Sequence, residues 1–203
     1  MILQKLVFAT QNPHKLEEVQ QMLVQSAHSM EVPAIIGLDE IGCKEDLPET
    51  GSTVQENAVQ KARFVFEHYR VDCFAEDTGL FVPSLGGAPG VQSARYAGPE
   101  RNAQSNMELL LQNLAKEDDR RAYFLTVIAC VIDSSIHIFS GKIEGIITQK
   151  ALGNRGFGYD PIFLPKGYDQ TFGQLHQDIK NRISHRAIAM ERFIDFLCGT
   201  LPK

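Results

Sequence analysis

The run Ala122-Tyr123-Phe124-Leu125-Thr126-Val127-Ile128-Ala129-Cys130-Val131-Ile132, followed by Asp133-Ser134-Ser135 and Ile136-His137-Ile138-Phe139, decides the fold class. β-branched and aromatic residues fill both apolar stretches, and the polar triplet between them reads as a turn, so the segment predicts a β-hairpin. Upstream, Leu6-Val7-Phe8-Ala9 reads as a buried strand, and Leu16, Val19, Met22 and Leu23 recur at helical spacing directly after it. Helices interleaved with strands, one pair of them antiparallel, predict an α/β protein with a mixed sheet.

The remaining elements follow from spacing. A second helix is expected from about Thr53 to Tyr69, with Val54, Ala58, Ala62 and Val65 on its inner stripe and Thr53 and Glu56 at capping-box distance. Cys73-Phe74-Ala75 reads as a short strand, Met107, Leu110, Leu111 and Leu114 mark a third helix, and Ile179, Ile183, Ala187, Met190, Phe193 and Leu197 predict one long final helix.

At 203 residues and 43% hydrophobic, the chain can bury a substantial core. A formal net charge of -5 argues against a nucleic-acid partner, whose backbone is bound by clustered Lys and Arg. Cys43, Cys73, Cys130 and Cys198 lack paired metal-ligand spacing and read as reduced thiols, which favours the cytoplasm. The apolar run near the N-terminus is too short for a signal peptide, and no run is long enough to span a bilayer, so no membrane partner is expected. Without repeats or linkers, a single domain over 1–203 is expected.

Several segments carry groups suited to chemistry. Thr10-Gln11-Asn12-Pro13-His14-Lys15 joins the first strand to the first helix, with Asn12 placed as its cap and Pro13 at its first position. Free backbone donors, the positive helix end and Lys15 would suit phosphate, although an ordinary capped helix explains the segment too. In the second helix Asn57 and Lys61 stand four apart and share a face. Glu56 has a structural duty as cap partner of Thr53, whereas Glu49, in the preceding loop, has none and is the better metal candidate.

Glu76-Asp77-Thr78-Gly79 ends an apolar strand. Adjacent carboxylates repel; Mg²⁺ with phosphate oxygens would relieve this and leave one acid to orient water, while a solvated turn is the alternative. Gly86-Gly87-Ala88-Pro89-Gly90 reads as an architectural loop. Gly153 to Pro161 is a second glycine-rich loop in which Phe157 could stack on a base. Lys180, Arg182, His185 and Arg186 form a basic face for which a solvated surface is the usual explanation; as base readers, His185 and Arg186 would donate to the keto oxygen of a 6-oxopurine.

Taken in order, Thr10-x-Asn12-x-x-Lys15, the Glu49 to Ala62 segment, Glu76-Asp77-Thr78-Gly79-Leu80, Leu85 to Val91 with Ser93-Ala94-Arg95-Tyr96, Gly156-Phe157-Gly158-Tyr159-Asp160-Pro161 and Ser184-His185-Arg186 closely resemble the inosine triphosphate pyrophosphatase, or Ham1-like, family. The resemblance spans nearly the whole chain. It implies a mixed α/β fold with an elongated central sheet and flanking helices, two lobes around a substrate cleft, and a homodimer. It also implies a Mg²⁺-dependent pyrophosphatase that cuts small-molecule nucleoside triphosphates, ITP, dITP and XTP, to monophosphate and pyrophosphate.

By similarity, Asp77 is the general base and helps hold Mg²⁺, with Glu49 as a further metal-site acid. The same resemblance assigns the triphosphate to Thr10, Gln11, Asn12, Pro13, His14, Lys15, Lys61 and Lys180, a substrate contact to Thr78, and the base to Phe157, Gly158, Tyr159, Asp160, His185 and Arg186. The chain departs from the commonest bacterial pattern at Glu76, Thr78 and Val54, which keep chemical type, and at Ile146, where arginine is frequent. Two alternatives remain at this point: a pyrophosphatase for modified pyrimidine or other damaged nucleotides, and a nucleotide sensor without turnover.

Overall fold

The computed structural model describes residues 5–26 and 33–200, so residues 1–4 of the N-terminal apolar run lie outside the described residues. Its elements are β1 (Lys5–Phe8), α1 (Pro13–Ser26), β2 (Ala34–Ile36), α2 (Val54–Tyr69), β3 (Cys73–Phe81), β4 (Pro89–Gly90), α3 (Ala103–Asn113), β5 (Arg121–Ile132), β6 (Ser135–Ile147), β7 (Phe163–Pro165), α4 (Gln177–Ile183) and α5 (His185–Thr200). The strand order is β2-β1-β3-β5-β6-β7, with β4 beside β3. β1 runs parallel to β2 and β3, whereas β3 with β4 and β6 with β7 are antiparallel, which makes the sheet mixed as expected. The β5–β6 turn uses Asp133 and Ser134, both at positive φ, the conformation a two-residue hairpin loop demands. Among the described residues, no helix is long and apolar enough to cross a membrane.

The chain divides into two compact units. The first comprises Met1–Asp77, Thr126–Gly141 and Ala187–Lys203, and the second Thr78–Leu125 and Lys142–Arg186. In the first unit Leu6, Phe8, Val19, Phe74, Ile128, Met190, Phe193 and Leu197 are buried together. Phe8 stacks on Phe74 at 4.4 Å, and Phe74 meets Phe193 at 4.9 Å. Each such side chain contributes about 1.5–3 kcal/mol by leaving water. The expected inner stripe of α2, Val54, Ala58, Ala62 and Val65, is buried throughout. Burial pushes the Cys73 thiol up to about 12, which suits a packing role rather than reactivity.

In the second unit the core gathers Leu80, Leu110, Leu114, Phe124, Ile147, Ile162, Phe163 and Phe172. Phe124 meets Phe163 edge-on at 4.7 Å. Gly79 permits β4 to approach, because a Cβ there would stand 2.7 Å from the Gly90 carbonyl oxygen.

Three expectations needed correction. β3 does not end near Ala75 but continues to Phe81, so Glu76 and Asp77 lie mid-strand rather than in a terminal turn. β6 runs on to Ile147, well beyond Phe139, since its polar positions mark the exposed side of a strand and not its end. The single final helix is two: Ser184, at φ -67 and ψ 160, interrupts it. One extended residue leaves the apolar spacing nearly intact while redirecting it. Ile179 and Ile183 pack in the second unit, and Ala187, Met190, Phe193 and Leu197 in the first.

Candidate active site

In the first unit, α2 begins at Thr53, whose hydroxyl accepts from the Glu56 N–H at 3.1 Å. The Glu56 carboxylate reaches one residue further back than a capping box requires, accepting from the N–H and hydroxyl of Ser52 at 2.6 and 2.8 Å. Those bonds, the hydroxyl's foremost, hold its carboxyl below the usual range. Glu56 therefore has the structural duty expected of it.

One turn on, the buried Lys61 ammonium bonds Glu49 and Asp77, each at 2.9 Å. Burial opposes its charge, yet Asp77 and then Glu49 outweigh that and hold its pKa above the ordinary lysine value. Asn57, on the same face, donates to Asp77 Oδ2 at 3.3 Å. Sequence spacing had paired Asn57 with Lys61, but nothing in it announced the bond to Asp77, which the fold brings from twenty positions away.

Successive side chains on a strand point to opposite faces, and the partners of β3 obey this. Glu76, buried to 1% exposure, bonds Lys15 of α1 at 3.1 Å, whereas Asp77 turns to α2. The two adjacent acids therefore do not stand side by side, and a lysine on each face relieves their repulsion. Thr78 follows on β3, half-buried.

The segment before α1 is knit by local bonds. The Asn12 side chain accepts from the His14 N–H at 3.0 Å, the Thr10 hydroxyl accepts from the Asn12 N–H at 3.1 Å, and the Lys15 N–H reaches the Asn12 carbonyl at 3.1 Å. Pro13 opens the helix, as its missing N–H favours. The expected open row of backbone donors is thus mostly engaged, because capping the helix uses the same groups. Gln11 points to the Glu45 carbonyl and the Asp46 carboxylate, at 3.1 and 3.2 Å, tying this turn to the loop that leads to Glu49.

The second unit holds the aromatic and basic residues. Asp160 accepts from the Phe157 N–H at 2.8 Å and from the Lys180 ammonium at 2.7 Å, both charged groups being almost wholly buried. Gly156 and Gly158 supply positive φ, and a Cβ on Gly156 would collide with the Asp160 carboxylate, so the loop can close over the acid only with glycine there. Lys180 Nζ lies 4.7 Å from the Phe157 ring centre and Arg186 Cζ 5.5 Å, within cation–π range.

His185 stacks on Phe124 at 4.5 Å. Lys180, His185 and Arg186 are 2%, 4% and 1% exposed, so a solvated surface does not describe them; Arg182 alone of that basic group is exposed. Tyr159 is committed to structure: its ring is in the core and its hydroxyl donates to the Ser93 carbonyl at 2.8 Å, with burial raising its pKa. Phe124 and Phe172, which flank His185 and Lys180, carried no sequence signal beyond that of ordinary core residues.

The two groups differ in chemical capacity. Two carboxylates on one ammonium offer hard oxygen ligands and a base for water; Asp160, Lys180 and the Phe157 ring with Arg186 over it offer aromatic surface and donors. Among the described residues, no three His, Cys, Asp or Glu side chains converge as a ready metal cage. Glu49 and Asp77 still fit Mg²⁺, which is commonly held by one or two carboxylates with substrate phosphate completing the shell.

Comparison with known proteins gives a consistent result. The Ham1 family model matches residues 6–196. A dITP/XTP pyrophosphatase of Porphyromonas gingivalis is 50% identical over 196 residues, covering 96% of this chain and 98% of that protein. One of Bacillus subtilis, of the same description, is 38% identical, covering 97% and 98%. The structure of a HAM1 protein from Coxiella burnetii matches with a TM-score of 0.88 at 36% identity, over 98% of this chain and 100% of that one. With ordered motifs, fold and full-length similarity in agreement, the chain belongs to the Ham1 family.

Proposed function

We propose that this protein is a nucleoside triphosphate pyrophosphatase that hydrolyses non-standard purine nucleotides, ITP, dITP and XTP, to the monophosphate and pyrophosphate. The convergence of Glu49 and Asp77 on Lys61 carries the assignment. A triphosphate tail brings more negative charge than one lysine offsets, so Lys15 and a cation held by Glu49 and Asp77 would share it. Bound there, Mg²⁺ would supply Lewis-acid neutralisation of the phosphate oxygens.

Asp77 orients water and accepts the proton it gives up, and the bond broken is the α–β phosphoanhydride. Lys61 holds the Asp77 carboxylate in place through its 2.9 Å bond to Oδ1. The base stacks on Phe157, with His185 and Arg186 presenting donors to a 6-oxo group. Adenine would set its amino group against those donors, and such mismatches discriminate by about 10⁴ or more. Lys180 bonds Asp160 directly, so its contribution is to hold the base loop as well as to add positive charge.

The four free cysteines suit a reducing, cytoplasmic compartment, and we expect a homodimer, which sedimentation would test. The decisive assay incubates the protein with ITP, XTP, dITP, GTP and a modified dTTP. Pyrophosphate release with Mg²⁺, strongest for the first three and abolished by chelation, is expected. Release of phosphate instead, or preference for the pyrimidine, would overturn the assignment.

A further inference from the structure

Asn57 is 4% exposed on α2, and a buried side-chain amide needs partners at both ends. It has them. Its Nδ2 donates to Asp77 Oδ2 at 3.3 Å, and its Oδ1 accepts from the Gly51 N–H at 2.8 Å. Lys61 takes the other oxygen of the same carboxylate, Oδ1, at 2.9 Å. Each oxygen of Asp77 therefore has its own donor, both from one face of α2.

We propose that Asn57 is a positioning residue for hydrolysis, fixing the plane of the Asp77 carboxylate and tying it to the segment that carries Glu49. This rests on Asp77 being the base. The terminal torsion of an aspartate is broad, so a bond to Oδ1 alone leaves Oδ2 free to swing. The amide of Asn57 removes that freedom. As a neutral donor it adds no charge beside the carboxylate.

The other end of the amide sets the second acid. Gly51 follows Glu49 by two residues, and its N–H is held by Asn57 while Glu49 itself is held by Lys61. The fit is close: a Cβ on Gly51 would stand 2.9 Å from Asn57 Oδ1. One amide thereby sets both the rotation of the base and the approach of its neighbouring acid, the kind of supporting contact that holds a catalytic group in place.

A plain brace between helix and loop would need only the bond to Gly51. Asn57→Asp keeps an oxygen for that N–H but sets an acid against Asp77 in place of the donor; Asn57→Ala removes both bonds without adding charge. With ITP, Asn57→Asp is expected to lower kcat by about 10²-fold, the scale of a misplaced catalytic group, while KM stays within about threefold. Asn57→Ala, assayed below its melting temperature, should lose at least as much kcat and also melt lower. Wild-type kcat in either variant would overturn the proposal, as would a rise in KM with kcat intact. Absence of ITP hydrolysis by the wild-type protein would instead defeat the underlying function.

Discussion

Lys61 in the first unit is shared by two carboxylates whose side chains are 26% and 11% exposed, whereas Lys180 in the second meets Asp160 with both side chains at 4% exposure or less. The first arrangement leaves acid in excess of base beside solvent, a state that a cation and phosphate can complete. The second is balanced and sealed. A buried ion pair of that kind seldom adds net stability, but it imposes one geometry on the loop around it. The same residue types thus give an acid-rich, partly open cluster in one unit and a closed pair in the other by changing stoichiometry and exposure.

Removing the base should have the largest effect. Asp77→Asn keeps the shape and one oxygen but not the proton acceptor, and is expected to lower kcat by about 10³-fold while ITP binding by calorimetry changes little. Turnover equal to wild type would remove Asp77 from the mechanism and erase the contrast.

Exchanging the lysines tests the comparison directly. Lys180→Met strands a buried carboxylate and should destabilise the fold by about 3–5 kcal/mol in denaturant titrations. Lys61→Met leaves its two acids nearer solvent; it should cost less stability than Lys180→Met and more kcat. Reversed ranks would show that the sealed pair, and not the shared one, serves the reaction.

Phe157→Ala sharpens the recognition half. Loss of base stacking, worth about 1–3 kcal/mol, should raise KM for ITP by about tenfold or more with kcat nearly unchanged. Smallest is Thr53→Ala, which removes the cap of α2 and should cost about 1 kcal/mol in thermal melts without altering KM. A change in KM there would mean that the helix carrying Asn57 and Lys61 is less rigid than its caps imply.

Local pattern in the sequence was sufficient for much of this. The caps at Asn12 and Thr53, the inner stripe of α2, the hairpin turn at Asp133–Ser134 and the mixed sheet all depend on neighbours within a few residues, where propensity and hydrogen-bonding chemistry act directly.

Which oxygen meets which donor was decided only by the tertiary structure. Glu76 and Asp77 are adjacent in the chain, yet the pleat of β3 sends one to Lys15 and the other to Lys61 and Asn57. The break at Ser184 divides one apolar stripe between two cores, and Lys180, His185 and Arg186 are buried where a basic run ordinarily faces water. Sequence periodicity reports that a side chain is apolar or charged at a given spacing. What it packs against depends on strands and helices brought together from remote segments, and so on the energy of burying and pairing groups that share no local pattern.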